Sequence, residues 1–237
     1  MNNKKIILKS NEAYNLINNA IASNRVIKDG KLLTPSEVEE LIYYLLEQEY
    51  RNDLYSIELT NDIEDEQQRI REQLESGDII MKFNDRNKKD LKGEVKSEKI
   101  YHELYKLRID LLYRQKNNIT KPYYQEKSTN NELGWAYNIR HYSKLYIHFH
   151  DYTSKYKSMI LVINNPWELY NDCMEVCKIY KETNGFGTYN INGVEFDIFR
   201  NDNDYSKTTI CTSFNLLGYE ARERYNIDLI HLEVKSE

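Results

Sequence analysis

The clearest hydrophobic pattern in the chain lies between residues 35 and 49. Apolar side chains recur there at the three- and four-residue spacing that places them on one face of a helix: Val38, Leu41, Ile42, Leu45 and Leu46. Thr34 and Glu37 have the spacing of a capping box, and Pro35 takes the first helical position. The pattern therefore predicts a helix that begins at Pro35.

Weaker patterns predict further helices along the chain. A helix over 10–23 has Ser10 as its N-cap, and a charged helix over 62–75 ends just before Gly77. Glycine suits this position because it adopts the left-handed backbone that often follows a helix. The remaining helices are predicted over 98–114, 165–180 and 216–225.

Short apolar runs between polar turns predict β-strands. Residues 77–83 and 93–97 form two predicted strands joined by a polar turn, and an Asn-Gly dipeptide suits the type I′ turn of a hairpin over 188–198. We expect the last strand, 227–234, to be an edge strand with a solvated tail. Other strands are predicted over 55–59, 145–150 and 159–163, so that helices and strands together indicate an α/β fold.

The length of 237 residues suits one α/β domain, because single hydrophobic cores stop growing at about 250 to 300 residues. Hydrophobic residues make up 40% of the chain, and 21 tyrosines add bulk to a folded core. We expect a single domain over 1–237. Its parts are an N-terminal helix and turn (1–33), a core with the candidate site (34–180), and a C-terminal hairpin, helix and strand (181–237).

The sequence predicts neither membrane insertion nor secretion. No segment approaches about 18 consecutive apolar residues, and the basic start is not followed by an apolar run of signal-peptide length. The three cysteines, Cys173, Cys177 and Cys211, are an odd number without a disulfide pattern, which is typical of a reducing compartment. We therefore expect a cytoplasmic protein without a membrane partner.

The net charge of -5 argues against a protein that coats nucleic acid without sequence preference, because such binding depends on lysine and arginine. A nuclease is still compatible with this charge, since a local basic patch can bind DNA on an acidic protein. One cluster could form such a patch: Lys82, Arg86, Lys88, Lys89, Lys92, Lys96 and Lys99. The alternative for these residues is a solvated hairpin, and the sequence leaves both open.

Candidate chemistry lies on the two predicted strands around 77–83 and 93–97. Asp78 begins the first strand, and the second contains Glu94 and Lys96, which share one face because side chains two apart in a strand point the same way. Four Asp/Glu-x-Lys triplets occur in the chain, about as many as its composition gives by chance. The triplet alone is therefore uninformative, and its position beside Asp78 distinguishes this copy.

Two carboxylates at this position could ligate one or two Mg²⁺ ions, which favour carboxylate oxygens and water. Lys96 could orient or deprotonate an attacking water, and a metal would offset charge on a scissile phosphate. The alternative is an exposed hairpin whose charged face meets water. A second Glu-Val-Lys-Ser-Glu copy, 233–237, is interpreted as part of the solvated tail.

The order of a helix, a Gly-Asp strand, a Glu-x-Lys strand and a further helix resembles the PD-(D/E)xK superfamily of restriction-endonuclease-like nucleases over residues 35–165. A polar stretch over 62–68 and an extended Tyr-Tyr-Gln-Glu over 123–126 are also similar to phage and bacterial members. Gly77 replaces the proline expected before the first aspartate. The resemblance implies a restriction-endonuclease-like α/β core, with a mixed central sheet flanked by helices and a C-terminal hairpin and strand extension.

By this resemblance Asp78 and Glu94 bind Mg²⁺, with Mn²⁺ as a substitute, Lys96 activates water, and Glu126 is an accessory acid. The implied activity is metal-dependent endonucleolytic hydrolysis of DNA, with double-stranded DNA as the expected partner, by a restriction enzyme or a phage nuclease. Cleavage of both strands would suggest a homodimer. Because the superfamily includes inactive members, the fold alone does not establish cleavage.

The competing hypothesis is a non-catalytic acidic binding protein on the same fold, such as a phage protein that inhibits a host defence factor. A nuclease should concentrate a basic patch around an acidic pocket. An inhibitor should instead present a broad acidic surface, for instance from Glu58 to Glu75.

Other candidate residues carry weaker signals. His148 and His150 share a strand face near His141, which suggests either a zinc site without an evident fourth ligand or a polar face in contact with DNA. Cys173 and Cys177 are one helical turn apart and are interpreted as core thiols. The many tyrosines, Tyr142 and Tyr146 among them, either stack on bases or fill core and surface.

Overall fold

Two β-sheets and six α-helices make up the described part of the chain in a computed structural model, which describes residues 3–23, 32–99, 105–115, 134–151, 157–201 and 207–237. The strands are β1 (Asn3–Lys9), β2 (Leu54–Leu59), β3 (Ile79–Phe83), β4 (Leu91–Lys99), β5 (Lys106–Gln115), β6 (Lys144–Asp151), β7 (Lys157–Ile163), β8 (Gly187–Ile191), β9 (Val194–Asn201), β10 (Lys207–Asn215) and β11 (Ile227–Lys235). The helices are α1 (Asn11–Ala22), α2 (Pro35–Tyr50), α3 (Glu66–Ser76), α4 (Trp135–Asn138), α5 (Pro166–Thr183) and α6 (Tyr219–Arg224).

The larger sheet has seven strands in the order β1-β11-β7-β6-β4-β3-β2. Two neighbouring pairs, β1 with β11 and β4 with β6, are parallel, and the other neighbours are antiparallel. The predicted α/β class with a mixed central sheet and helices is therefore confirmed. The β2-β3-β4 end of this sheet carries the candidate site.

Helices α1 and α2 pack on this sheet through their apolar sides. Ser10 caps α1 by accepting a hydrogen bond from the amide of Ala13, and Thr34 and Glu37 form the predicted capping box of α2. Caps of this kind satisfy amides at the first turn that have no partner inside the helix. Both helices begin where the sequence predicts.

The smaller sheet is antiparallel, in the order β5-β10-β9-β8. It belongs to the same compact unit as α5 and α6. Asn192 and Gly193 join β8 to β9 with φ angles of 52° and 92°, respectively. Positive φ at both central residues is the requirement of a type I′ turn. The hairpin predicted over 188–198 is therefore confirmed.

The chain divides into two compact units that are not continuous in sequence. One comprises Met1–Tyr105, His141–Asn164 and Ile227–Glu237, and the other comprises Lys106–Arg140 and Asn165–Asn226. These boundaries differ from the predicted parts 1–33, 34–180 and 181–237, because β11 returns to the larger sheet from the end of the chain. That the two units make one domain stays a prediction.

Two predictions of secondary structure are wrong. Part of the helix predicted over 98–114 is strand β5, in which Leu107, Ile109 and Leu111 are buried at the two-residue spacing of a strand. The last strand, β11, is not an edge strand, since β1 pairs with it on one side and β7 on the other. The sequence analysis also did not predict β1 or β10.

Within the described residues, no helix is both long enough and apolar enough to cross a membrane.

A buried carboxylate organises the unit that contains α5 and α6. Asp172 on α5 is 1% exposed and accepts hydrogen bonds from Arg224 at 2.6 and 2.8 Å, from the Tyr225 hydroxyl at 2.8 Å and from Asn192 at 2.8 Å. Arg224 also contacts Glu168 at 2.8 Å. Such a group is tolerated in the interior because its charge is paired and its oxygens are hydrogen-bonded.

We expect Asp172→Ala to lower the free energy of unfolding by about 3 kcal/mol, because it leaves the donors around it without their acceptor. Urea unfolding followed by circular dichroism measures this change. Glu175→Ala, on the exposed side of the same helix, is the matched control and should change the stability by less than about 0.5 kcal/mol. Equal effects of the two substitutions would contradict a structural role for the Asp172 network.

Candidate active site

Asp78 is held against the segment of β4 that contains Glu94. Its backbone amide donates to the carbonyl of Gly93 at 2.8 Å, and its side-chain Oδ2 accepts from the amide of Val95 at 2.8 Å. Thr60 fixes the same backbone from the other side, because its amide donates to the Asp78 carbonyl at 2.9 Å. The predicted aspartate and the predicted Glu-x-Lys strand are therefore brought together.

Gly77 makes this close approach possible. Its φ of 80° and ψ of -154° lie in a region that is essentially restricted to glycine. A Cβ atom there would lie 2.6 Å from the carbonyl oxygen of Gly93. Glycine at position 77 therefore has a structural reason in this chain.

We expect Gly77→Ala to lower the free energy of unfolding by about 2 to 3 kcal/mol and to displace Asp78. Gly187→Ala is a control, since Gly187 also has a positive φ, of 139°, but a Cβ there meets no atom within 4 Å. Both variants carry the cost of a side chain at positive φ, but only Gly77→Ala adds a steric clash with Gly93. The difference between their thermal unfolding temperatures therefore measures the clash. A loss at Gly77 no larger than the loss at Gly187 would contradict the close packing described here.

Glu94 is the buried centre of the candidate site, with 5% of its surface exposed. Its carboxylate forms an ion pair with Lys96, and the hydroxyl of Tyr142 hydrogen-bonds to it. Burial, the charge of Glu94 and this hydrogen bond raise the pKa of Tyr142, so that Tyr142 stays a neutral donor. The Glu94 carboxylate is therefore fixed by a cation and a hydroxyl.

A third carboxylate, Glu39 on α2, belongs to the same electrostatic cluster. Glu39 is 8% exposed and accepts a hydrogen bond from Asn61. Burial raises its pKa, and the charge of Glu94 raises it further, against the opposing effects of Asn61 and Lys96. Glu39 was not among the residues predicted from the sequence. Its position in α2, next to the apolar residue Val38, was the available signal.

The pKa of Asp78 is raised to about 8, first by burial and then by the negative charge of Glu94. Lys96 and the Val95 amide act in the opposite direction, since both stabilise the ionised carboxylate. Two neighbouring carboxylates repel each other unless a proton or a metal cation neutralises part of their charge. Their arrangement therefore favours the binding of a cation.

Lys96 stays charged in this environment. Burial lowers its pKa, but the carboxylates of Glu94, Asp78 and Glu39 outweigh burial and raise the pKa above its ordinary value. A protonated lysine can stabilise negative charge or orient a water molecule, but it cannot accept a proton. Of the two roles considered from the sequence, the raised pKa of Lys96 in the metal-free protein favours orientation over deprotonation.

The donor set suits a magnesium ion that keeps several waters. Mg²⁺ is usually bound through one or two carboxylates and substrate phosphates. Asp78 and Glu94 provide two carboxylates, although no group of three or more His, Cys, Asp or Glu side chains in the described ranges is placed to hold a metal ion. The site therefore fits a hydrated ion and not a cage made by the protein alone.

The predicted basic patch is largely paired with acids or carbonyls. Lys82 contacts Glu58 at 3.0 Å, Lys88 contacts Asp53 at 3.5 Å, and the Lys92 ammonium donates to a backbone carbonyl at 3.1 Å. The two ion pairs reduce the net positive charge that the hairpin presents. The accessory acid predicted at Glu126 lies outside the described residues.

The other candidates from the sequence lie in the interior. His148 is 1% exposed, and its Nε2 contacts the Ser158 hydroxyl at 2.7 Å, so its predicted position on a DNA-contacting face is wrong. The side chain of His150 lies outside the described residues. Cys173 and Cys177 are buried, and burial raises both thiol pKa values, which confirms them as core thiols.

Two of the tyrosines considered for base stacking, Tyr142 and Tyr146, are also buried. Tyr142 reaches Glu94 because β4 and β6 are parallel neighbours, and the amide of Ser143 donates to the Lys92 carbonyl at 2.7 Å. No local pattern in the sequence indicates this contact, since the two residues lie far apart in the chain.

No protein-family model, curated protein or solved structure matches the chain. The geometry of the site and the motif that surrounds it are therefore the basis for assigning a function.

Proposed function

We propose that the chain is a Mg²⁺-dependent endodeoxyribonuclease of the PD-(D/E)xK type, with a restriction-endonuclease-like core. The observation that carries this proposal is the cluster of Asp78, Glu94 and Lys96 on adjoining segments of the sheet, in which Glu94 is buried and Asp78 and Lys96 are half-buried. Burial first, and then the charge of Glu94, raises the pKa of Asp78 to about 8. Ionisable groups perturbed by burial and by a specific charge are frequent at functional sites.

In the proposed mechanism Asp78 and Glu94 would hold Mg²⁺, with water and a DNA phosphate as its further ligands. A bound divalent ion supplies Lewis acidity and lowers the pKa of water that it coordinates. Lys96 stays protonated, orients the attacking water and stabilises charge on the phosphate. Tyr142 keeps the Glu94 carboxylate in place through its hydrogen bond.

The order of elements supports the proposed resemblance only in part. A helix, a strand that follows Gly77 and Asp78, and a Glu-x-Lys strand come in the proposed order, and the sheet is mixed. Strand β5 takes part of the place of the helix expected after the Glu-x-Lys strand. Double-stranded DNA as substrate and a homodimeric state are parts of the proposal that rest on the motif alone.

A second candidate function is a non-catalytic binding protein that takes a basic partner, such as an inhibitor of a host defence factor. An acidic groove of about 530 Å³ favours it, and its lining includes Glu40, Tyr43, Glu58 and Asp62. Burial raises the pKa of Glu40, and the charges of Glu37 and Asp62 raise it further. The pairing of the basic patch with acids points in the same direction.

The experiment that separates the two functions is a cleavage assay on supercoiled plasmid and linear duplex DNA, with Mg²⁺, with Mn²⁺ and with EDTA. We expect cutting with either metal and none with EDTA, because the site needs a divalent cation. Absence of cutting with both metals would contradict the nuclease and favour the binding protein.

A further inference from the structure

A second, smaller pocket lies between α2 and the larger sheet. It has a volume of about 200 Å³. Its apolar lining comes from the last turns of α2 and from the sheet face below: Leu45, Leu46, Val162 and Ile230, with the ring of Tyr146. An ion pair between Lys4 and Glu49 lies at its rim.

Two hydrogen-bond donors in this lining have no partner in the described part of the chain. Among the described residues, no acceptor lies within hydrogen-bond or ion-pair distance of the Lys144 ammonium or the Tyr146 hydroxyl. Lys144 is half-buried and Tyr146 is 2% exposed. Both groups can therefore donate a hydrogen bond to a ligand that supplies an acceptor.

The charges around the pocket limit what it accepts. Burial lowers the pKa of Lys144, although the charge of Asp228 acts in the opposite direction. Asp228 itself accepts a hydrogen bond from Asn164 at 2.8 Å and places negative charge in the lining, whereas the charge of Glu49 is paired with Lys4. One anionic group beside Lys144 is therefore favourable, and a second negative charge is repelled.

We propose that this pocket binds a small organic monoanion with an apolar body, such as an aromatic or short-chain carboxylate. The carboxylate accepts hydrogen bonds from Lys144 and Tyr146, and the apolar body contacts the leucine, valine and isoleucine side chains. The volume is below the 300 to 1,000 Å³ usual for drug-sized ligands, so the ligand has one ring or a short chain. The proposal is independent of nuclease activity.

The test is a titration of the ¹⁵N-labelled full chain with benzoate, followed by amide NMR. We expect saturable shifts of pocket amides with a dissociation constant on the order of 1 mM, as is usual for so small a ligand. Benzyl alcohol, benzylammonium and inorganic phosphate are the comparison probes. Each should bind at least about tenfold more weakly, because each lacks either the single negative charge or the apolar body.

Lys144→Met keeps the apolar stem and removes the charge, so it should weaken benzoate binding by about tenfold. Lys178→Met, at an exposed lysine on α5, is the matched control and should leave binding unchanged. Wild-type affinity should also fall as pH rises through the lowered pKa of Lys144. If Lys144→Met does not fold, this pH dependence and weaker benzoate binding by Tyr146→Phe test the proposed contacts instead.

Three results would overturn the proposal. One is the absence of saturable shifts at ten times the expected dissociation constant. Another is equal benzoate binding by wild type and Lys144→Met. The third is binding of phosphate or benzylammonium as tight as that of benzoate, which would show that neither the apolar body nor the negative charge is recognised.

Discussion

Glu94→Gln is expected to lower the rate of Mg²⁺-dependent DNA cleavage by about 10²- to 10³-fold. Glutamine is nearly isosteric with glutamate, but its neutral amide is a poorer ligand for a hard cation. Glu94 is buried and paired with Lys96, so the substitution also leaves Lys96 without its strongest anionic partner. Plasmid-nicking time courses at saturating Mg²⁺ measure the loss.

The chain contains its own control for this substitution. Glu233 begins a second Glu-Val-Lys-Ser-Glu sequence, but its side chain is exposed and contacts Lys5 at 3.3 Å and Lys235 at 3.2 Å. Glu233→Gln should therefore cleave DNA at the wild-type rate. Equal activity of wild type and Glu94→Gln, with both folded by circular dichroism, would remove Glu94 from the catalytic machinery.

Asp78→Asn is expected to lower the cleavage rate to a similar extent as Glu94→Gln and to make the protein more stable at pH 8. Asparagine keeps a side-chain oxygen that can accept from the Val95 amide at the position of Asp78 Oδ2. It removes the charge that burial and Glu94 disfavour. The expected gain is about 1 to 3 kcal/mol, measured by urea unfolding without divalent metal.

The same carboxyl makes wild-type stability depend on pH. The pKa of Asp78 is about 8 in the folded protein, against an ordinary value of 3.8. Between these values the folded state keeps a proton that the unfolded chain has lost, so stability falls as pH rises. The contribution is complete below pH 3.8 and is lost as pH rises through about 8. Asp78→Asn should flatten this part of the pH profile.

Mg²⁺ should reverse this loss in the wild type, because a bound cation favours the ionised carboxylate and releases its proton. The increase in unfolding temperature with Mg²⁺ should therefore be larger at pH 8 than at pH 6, and it should disappear in Asp78→Asn. Two results would contradict the proposed role of Asp78. One is lower stability of Asp78→Asn than of the wild type at pH 8, and the other is stabilisation of Asp78→Asn by Mg²⁺ as large as that of the wild type.

Local signals made much of the fold predictable from sequence. The capping box at Thr34 and the Asn-Gly turn before Val194 each depend on residues at most three positions apart, so the sequence alone predicts them. Asp78, Glu94 and Lys96 were found for the same reason. They lie on one hairpin, so short-range spacing places them together.

Long-range pairing explains the errors. Apolar residues over 98–114 fit a helical spacing, but β10, about 100 residues later, pairs with β5 and selects the strand. The last strand lost its expected edge position because β1, from the other end of the chain, pairs with it. Glu39 and Tyr142 reach the site from distant segments, which explains why spacing around the motif did not indicate them.

The most direct test of the account is a crystal structure of the protein soaked in MnCl₂, with anomalous data collected to locate the metal. The account predicts a manganese peak between the carboxylates of Asp78 and Glu94, with metal–oxygen distances of about 2.1 to 2.2 Å to at least one oxygen of each. Well-ordered crystals that show both carboxylates clearly but place manganese elsewhere, or nowhere, would contradict the proposed metal site.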